Sequence, residues 1–263
     1  MAAWKSPINL SKLNKAKKAA DLVAGTTHKI SEEEEYYIGR AVAANILSQY
    51  RLWKNIALSR YLNLIGKALV LKSVRPEIFG GYHFALLDSA EANALSAPGG
   101  IIFLSRGIVE MAENEDELAA ILAHEIQHIV SKDPLKAIKS QRLKSLGAFA
   151  AGEALGSSNE VLGIFKNSVL DITGTLLQKG YSRGQEKNAD LGALKLLAAT
   201  GYNPYALLSI LKKCQAIEKK KAKAFSAHPS ASNRMNYVRD ALKRVSASDM
   251  RIRCIRFKKS VPR

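Results

Sequence analysis

The sequence predicts an α+β fold, predominantly α-helical with a small β-sheet, in which two helices form the active-site core. One carries His124-Glu125-Ile126-Gln127-His128 and a later one carries Glu186. Three observations predict this class. Most of the chain falls into capped segments whose apolar residues recur at helical spacing. Only a few short runs have strand composition, each bounded by Gly, Pro or polar residues. At 263 residues and 47% hydrophobic letters the chain can bury a large core, yet no apolar run approaches the roughly 18 residues needed to cross a bilayer. With no internal repeat and no dividing linker, the expected organisation is an N-terminal lead-in over residues 1–30 and a single domain over 31–263.

Ser31 with Glu34 forms a capping box that starts a helix running to about Arg51, and a second helix is expected from Leu52 to Leu71. Tyr82 to Leu87 and Ile101 to Leu104 have strand composition, the second following the Pro98-Gly99-Gly100 turn. Asn114, with Glu117 three residues on, caps a helix that runs through Leu118, Ile121, Leu122, Ile126 and Ile129 until Asp133-Pro134 ends it. Two helices are expected between Pro134 and Leu177. The Ala/Gly/Leu-rich stretch from Leu146 to Leu155 is interrupted by Glu153 and is too short to span, and reads as part of a channel or lid. Further helices contain Glu186, start at Pro204, and run from Ser230 to Val245. Alternation over Met250 to Phe257 predicts a final strand.

The chemistry lies in HEIQH. On a helix, the i, i+4 spacing stacks His124 and His128 on one face, where both rings can bind a single zinc ion, and Glu125 projects beside the open coordination position. A core helix with two satisfied histidines is the plain alternative, but a buried helix has little reason to carry His, Glu, Gln and His together without a ligand. Zinc that keeps a position open needs a third protein ligand. Lys132 and Pro134 stand where a longer histidine motif would place its glycine and third histidine, so a carboxylate must serve. Glu186 is the best candidate. Asp190, one turn later on the same face, would accept a hydrogen bond from a zinc-bound histidine and fix its tautomer. Together these residues would make a zinc peptidase site with one Zn2+ per chain, in which Glu125 would take the water proton and pass it to the departing amine.

Charge is lopsided. The formal net is +17, and residues 211–263 hold 16 Lys/Arg against 3 Asp/Glu. This basic segment suits an anionic membrane, an acidic partner or plain solvation; nucleic acid is unlikely to be the main target, since no recognition signature accompanies it. Cys214 and Cys254 are either one disulfide or two unpaired thiols.

HEIQH followed by Glu186-Lys187-Asn188-Ala189-Asp190 resembles the gluzincin arrangement. Further pieces resemble one branch of it, the minigluzincin-like group that holds prenyl-protein CAAX endopeptidases, HtpX-type membrane proteases and periplasmic quality-control proteases. They are Glu32 to Glu35 with Ile38-Gly39-Arg40, Asn93 to Gly100 before Ile101, the Tyr181 to Asp190 segment, Gly201 to Pro204, and His228-Pro229-Ser230 with Arg234, in family order over most of the chain. Gly184-Gln185 departs from the larger polar residues usual there. The resemblance implies a zinc endopeptidase acting on unfolded, misfolded or unassembled proteins. A non-catalytic peptide-binding module or chaperone with a structural metal is the alternative. An extended polypeptide would add to the edge run Ala97 to Ser105, with Asn93, Pro98, Gly99, Gly100, Ile101, Ile102 and Phe103 as binding residues. His228 would donate to the oxyanion, close the fourth metal position at rest, or only shape a loop, and Arg234 would support it. Met1 to Lys5 shows no secretory apolar region, whereas the resemblance implies a periplasmic or membrane-associated protein after signal removal.

Overall fold

The computed structural model describes residues 30–138, 158–220, 228, 230–243 and 251–261. The expected lead-in up to residue 29, the Leu146 to Leu155 stretch and Lys221 to Ala227 lie outside these. The first helices are α1 (Glu32–Leu47) and α2 (Ile56–Val70). The capping box forms as predicted: Ser31 Oγ accepts from Glu34 N, and Glu34 reaches back to Ser31 N at 2.7 Å. α2 begins later than Leu52, because Leu52 is drawn into a bridge with Leu87 and Asn55 supplies the cap.

Three strands follow, β1 (His83–Leu87), β2 (Ala94–Ala97) and β3 (Ile101–Ser105), in the spatial order β1-β3-β2. β3 is therefore central, parallel to β1 and antiparallel to β2. This corrects the expectation that Ala97 to Ser105 is an edge. Ile101, Ile102 and Phe103 pair with Ala97, Ser96 and Leu95 on one side and with His83, Phe84 and Ala85 on the other. Among the described residues the edge positions belong to β1 and to β2, a buried four-residue strand whose Ala-Leu-Ser-Ala composition gives little strand signal. The β2–β3 turn needs its glycines, with φ of +67° at Gly99 and +81° at Gly100. α1 lies so close to this turn that a Cβ on Gly39 would stand 1.9 Å from Pro98 O.

The sheet separates two apolar clusters, as the two-residue period of its strands dictates. Phe84, Leu86, Ala94, Ile102 and Leu104 face the larger one. Leu87, Leu95, Ala97 and Phe103 face a smaller one with α1 and the helix α5 (Ser158–Gly174). α3 (Arg106–Met111) leads to α4 (Glu115–Val130), the central helix, and a 3-10 turn over Asp133–Ala137 follows it. α5 continues into a π-helical turn at Thr175–Lys179 before α6 (Arg183–Thr200), which stops at a left-handed Gly201. α7 (Tyr205–Lys220), α8 (Ala231–Leu242) and α9 (Arg251–Ser260) complete the described elements.

α9 corrects the strand expected over Met250 to Phe257. Arg253, Arg256, Phe257 and Ser260 are spaced i, i+3, i+4, i+7, so a helix can place them on one face, whereas local alternation cannot tell the two periods apart in so short a run. Tertiary contacts decide. Phe257 is 1% exposed, Arg253 pairs with Asp116 at 3.0 Å, and Arg256 pairs with Glu115. Glu115, Asp116 and Glu117 form the first turn of α4 and are all buried. Carboxylates there favour the helix dipole, and each has a basic partner, with Lys213 Nζ 2.6 Å from Glu117. Asp116 and Glu117 also accept from Asn203 N and Ser209. Cys214 is a free, half-buried thiol pushed up to about 11 by burial.

Candidate active site

α4 holds its motif deep in the core because it is apolar on the faces where a solvated helix would be polar. Leu118, Leu122, Ile126 and Ile129 are fully buried, and Ala119, Ala120 and Ala123 let neighbouring helices approach. α6 packs against it, and a Cβ on Gly192 would meet the Gln127 side chain. This approach brings Glu186 and Asp190, both 0% exposed, to the histidines.

The two imidazoles meet edge to edge with His124 Nε2 and His128 Nε2 3.1 Å apart. On the far side of each ring is a carboxylate: Asp190 Oδ1 is 2.9 Å from His124 Nδ1, and Asp133 Oδ2 is 2.9 Å from His128 Nδ1. Carboxylates only accept, so each Nδ1 carries a proton and, in the neutral ring, each Nε2 keeps a lone pair. Two lone pairs at this separation call for a positive charge between them. Glu186 completes the triangle, with Oε2 3.5 Å from His124 Nε2 and Oε1 3.5 Å from His128 Nε2. A tetrahedral zinc with bonds of roughly 2.0–2.1 Å would set its ligand atoms about 3.3 Å apart, so the donor set fits.

The two rings differ in how readily they take a second proton. Burial would lower His128, but hydrogen bonds to Asp133 and Glu186 raise it to about 9. Burial and the Arg234 guanidinium hold His124 below its ordinary value. Burial opposes the charge on Glu186, yet His228 and Arg234 keep it well below the usual carboxylate range. Asp190 is likewise depressed against its burial by Arg234, which binds it through Nε at 2.9 Å and Nη2 at 2.7 Å. Arg234 Nη1 also lies 3.1 Å from Glu186 Oε2. Its contacts are thus with Asp190, Glu186 and the His124 ring, whose Nδ1 is 3.3 Å from Nη2.

His228 joins the cluster. Its Nδ1 is 2.7 Å from Glu186 Oε1, its Nε2 is 3.8 Å from Glu125 Oε1, and donor atoms of His124, His128, Glu186 and His228 all lie within 4.8 Å of one another. Glu125 is 2% exposed, and its Oε2 is buried without a hydrogen bond. A buried carboxylate oxygen left unpaired is costly unless something is meant to meet it.

Of the expected polypeptide-binding residues, Asn93 stands at the site: with Ala94, His124, Glu125 and His228 it lines a cavity of about 60 Å³. The cavity's inner wall is apolar, made by Ile108, Ile121, Leu207, Ile210 and Leu211. Pro98, Gly99 and Gly100 form the turn beyond β2, and Ile101, Ile102 and Phe103 are in the central strand. Sequence reasoning missed three contributors. Asp133 was seen only as a helix terminator; its carboxylate five residues after His128 was the available signal. Tyr181 stacks on His128 with ring centroids 4.1 Å apart, and Tyr237 donates to Asp190 at 2.7 Å; neither has a local signature.

The sequence profile of Peptidase family M48 matches residues 58–242. The beta-barrel assembly-enhancing protease of Yersinia pestis is 28% identical over 197 residues, covering 72% of this chain and 39% of that protein. The mitochondrial metalloendopeptidase OMA1 of Schizosaccharomyces pombe is 33% identical over 185 residues, 69% of this chain and 52% of that protein. A protease HtpX homolog of Nostoc sp. is 33% identical over 129 residues, 44% of this chain and 43% of that protein. The chain thus spans between about two fifths and a half of the length of these relatives.

Proposed function

The chain belongs to peptidase family M48, and on that footing we propose that it is a zinc-dependent endopeptidase hydrolysing peptide bonds in unfolded, misfolded or unassembled proteins. The observation that carries the zinc reading is the pair of Nε2 atoms 3.1 Å apart, each ring fixed from behind by a carboxylate. His124, His128 and Glu186 would hold the ion, one per chain, which when bound supplies a Lewis acid that polarises a carbonyl and acidifies water.

The chain's own residues do the rest. Glu125, with a free buried oxygen beside the donor cluster, takes the proton from the attacking water and delivers it to the departing amine. Asp133 and Asp190 keep both imidazoles in the tautomer that presents Nε2, and Arg234 fixes Asp190 and balances its charge with that of Glu186. An extended polypeptide pairs with the edge strand β2 from its Asn93 end, where the cavity opens, with an apolar side chain directed between Ile121 and Leu207. Such pairing requires the substrate backbone to be free of its own structure, which favours unfolded or unassembled proteins. His228, whose donor atom lies within 4.8 Å of those of His124, His128 and Glu186, would close the remaining position at rest.

The relatives named as a beta-barrel assembly-enhancing protease and a mitochondrial metalloendopeptidase support a protease that acts in protein assembly and quality control; the periplasmic or membrane-associated setting rests on the family resemblance alone. A purely structural metal in a binding module would not require Glu125. The test is metal analysis with a casein digestion assay on wild type and Glu125→Gln. The expected result is about one zinc per chain in both and loss of nearly all hydrolysis in the variant. Wild-type digestion by Glu125→Gln, free of contaminating protease, would refute the general-base role.

A further inference from the structure

The outward face of α2 is a second functional surface, at the sheet edge opposite β2. Between Arg51 and Arg75 the chain has six Lys/Arg and no Asp/Glu. Ile56, Arg60, Leu64, Lys67 and Leu71 follow one another at steps of four, four, three and four residues, so they share one stripe of α2 and its C-cap. The aliphatic members are not turned inward: Ile56 is 72%, Leu64 68% and Leu71 74% exposed. The helix has no need of them for packing, because its inner face already buries Leu58, Leu62, Ile65 and Leu69. Among the described residues Arg51, Lys54, Arg60, Lys67 and Lys72 form no ion pair, in contrast to Arg75, which pairs with Glu32 and Glu35.

Exposed aliphatics interleaved with unpaired cations, with no carboxylate among them, are costly in water and suited to one surface. Aliphatic side chains enter the boundary of the acyl region while Lys and Arg reach the phosphates. Beside the stripe, Trp53, half-buried against the core, lines a cleft of about 560 Å³ together with Lys54, Asn55, Arg60 and Phe84, a residue type enriched at membrane interfaces. We infer that α2 docks this chain on an anionic bilayer, lying in the plane of the headgroups. The basic C-terminal segment is a poorer candidate, since Arg253 and Arg256 of α9 are turned in to Asp116 and Glu115. Because β1 and β2 are the two opposite edges of the sheet, docking through α2 keeps the bilayer on the side away from β2.

Co-sedimentation of the full chain with vesicles of phosphatidylglycerol and phosphatidylcholine, against pure phosphatidylcholine, tests this. Binding is expected to the anionic vesicles alone and to weaken with salt. Arg60→Glu/Lys67→Glu should lower the partition coefficient by about 30-fold or more, at roughly 1 kcal/mol per basic residue. Ile56→Ser/Leu64→Ser/Leu71→Ser should lower it at least tenfold, and Lys258→Glu/Lys259→Glu should change it by less than about threefold. Hydrolysis of a soluble peptide, unchanged in all three variants, shows that each is folded. Absence of vesicle binding would overturn the inference, as would loss confined to the Lys258/Lys259 variant. So would a wild-type dimer in lipid-free light scattering that the serine variant dissociates, since a second copy would then cover the face.

Discussion

Replacing Arg256 by alanine perturbs the catalytic helix from the far end of the chain. Glu115 opens α4, is fully buried, and is met by Arg256 through Nε at 2.6 Å and by a second contact through Nη2. Tyr61 Oη at 2.6 Å and Tyr202 Oη at 2.9 Å complete its partners. A charged hydrogen bond to a buried carboxylate is worth about 1.5–3 kcal/mol. Two effects reduce the loss. The Arg256 side chain is 53% exposed, so water screens part of the attraction, and the two phenols and the helix N-terminus still stabilise the orphaned carboxylate. The expected loss is about 1–2 kcal/mol, which for a chain of this size lowers Tm by roughly 2–8 °C. The pH dependence has a definite sign. Burial would raise the Glu115 carboxyl, but Arg256, Tyr61 and Tyr202 bring it below its ordinary value. A depressed carboxylate contributes stability above its unfolded pKa of about 4.3 and loses it as pH falls through the native value. The difference between wild type and Arg256→Ala should therefore be full at pH 6–7 and shrink below about pH 4. Thermal melts across that range, with Lys258→Ala/Lys259→Ala as the exposed control, decide the matter. An unchanged Tm for Arg256→Ala at pH 7, or an equal drop in the control, would refute the inward clamp.

His228→Ala should raise basal peptide hydrolysis, because the ring sits 2.7 Å from Glu186 and within the donor cluster; a fall in turnover by about a hundredfold at constant zinc content would mark it instead as an oxyanion donor. Asp133→Ala should weaken zinc affinity by about 10–100-fold while the fold survives, since His128 loses the acceptor that fixes its tautomer, as read by competition with a chromogenic chelator. Gly39→Ala should destabilise by about 1–3 kcal/mol in a denaturant titration, because its Cβ would stand 1.9 Å from Pro98 O and α1 or the β2–β3 turn must yield.

Much of the site was legible in the chain itself. The i, i+4 pair His124 and His128 with Glu125 is a local pattern, and a helix converts it into a shared ligand position without further information. Caps at Ser31 and Asn114 are written in neighbouring residues and formed as read, and the Ser182 cap and Gly201 stop of α6, which the structure adds, are equally local. Glu186 and Asp190 could be nominated for the same reason, by their common helix face. What the chain could not fix locally was anything set by partners far away in sequence. The run around Arg253 fits both periods, and only Glu115 and Asp116, some 140 residues earlier, make it a helix. Whether Ile101 lies in an edge or a central strand depends on β2, whose four small or weakly strand-forming residues gain their conformation from pairing with β3 rather than from propensity. Asp133, Tyr181 and Tyr237 act on the histidines and Asp190 through space alone. Local interactions nominated the ligands and the helix that presents them; long-range packing and buried charge pairs decided which strand is central, which arginines face inward, and which groups hold the imidazoles in place.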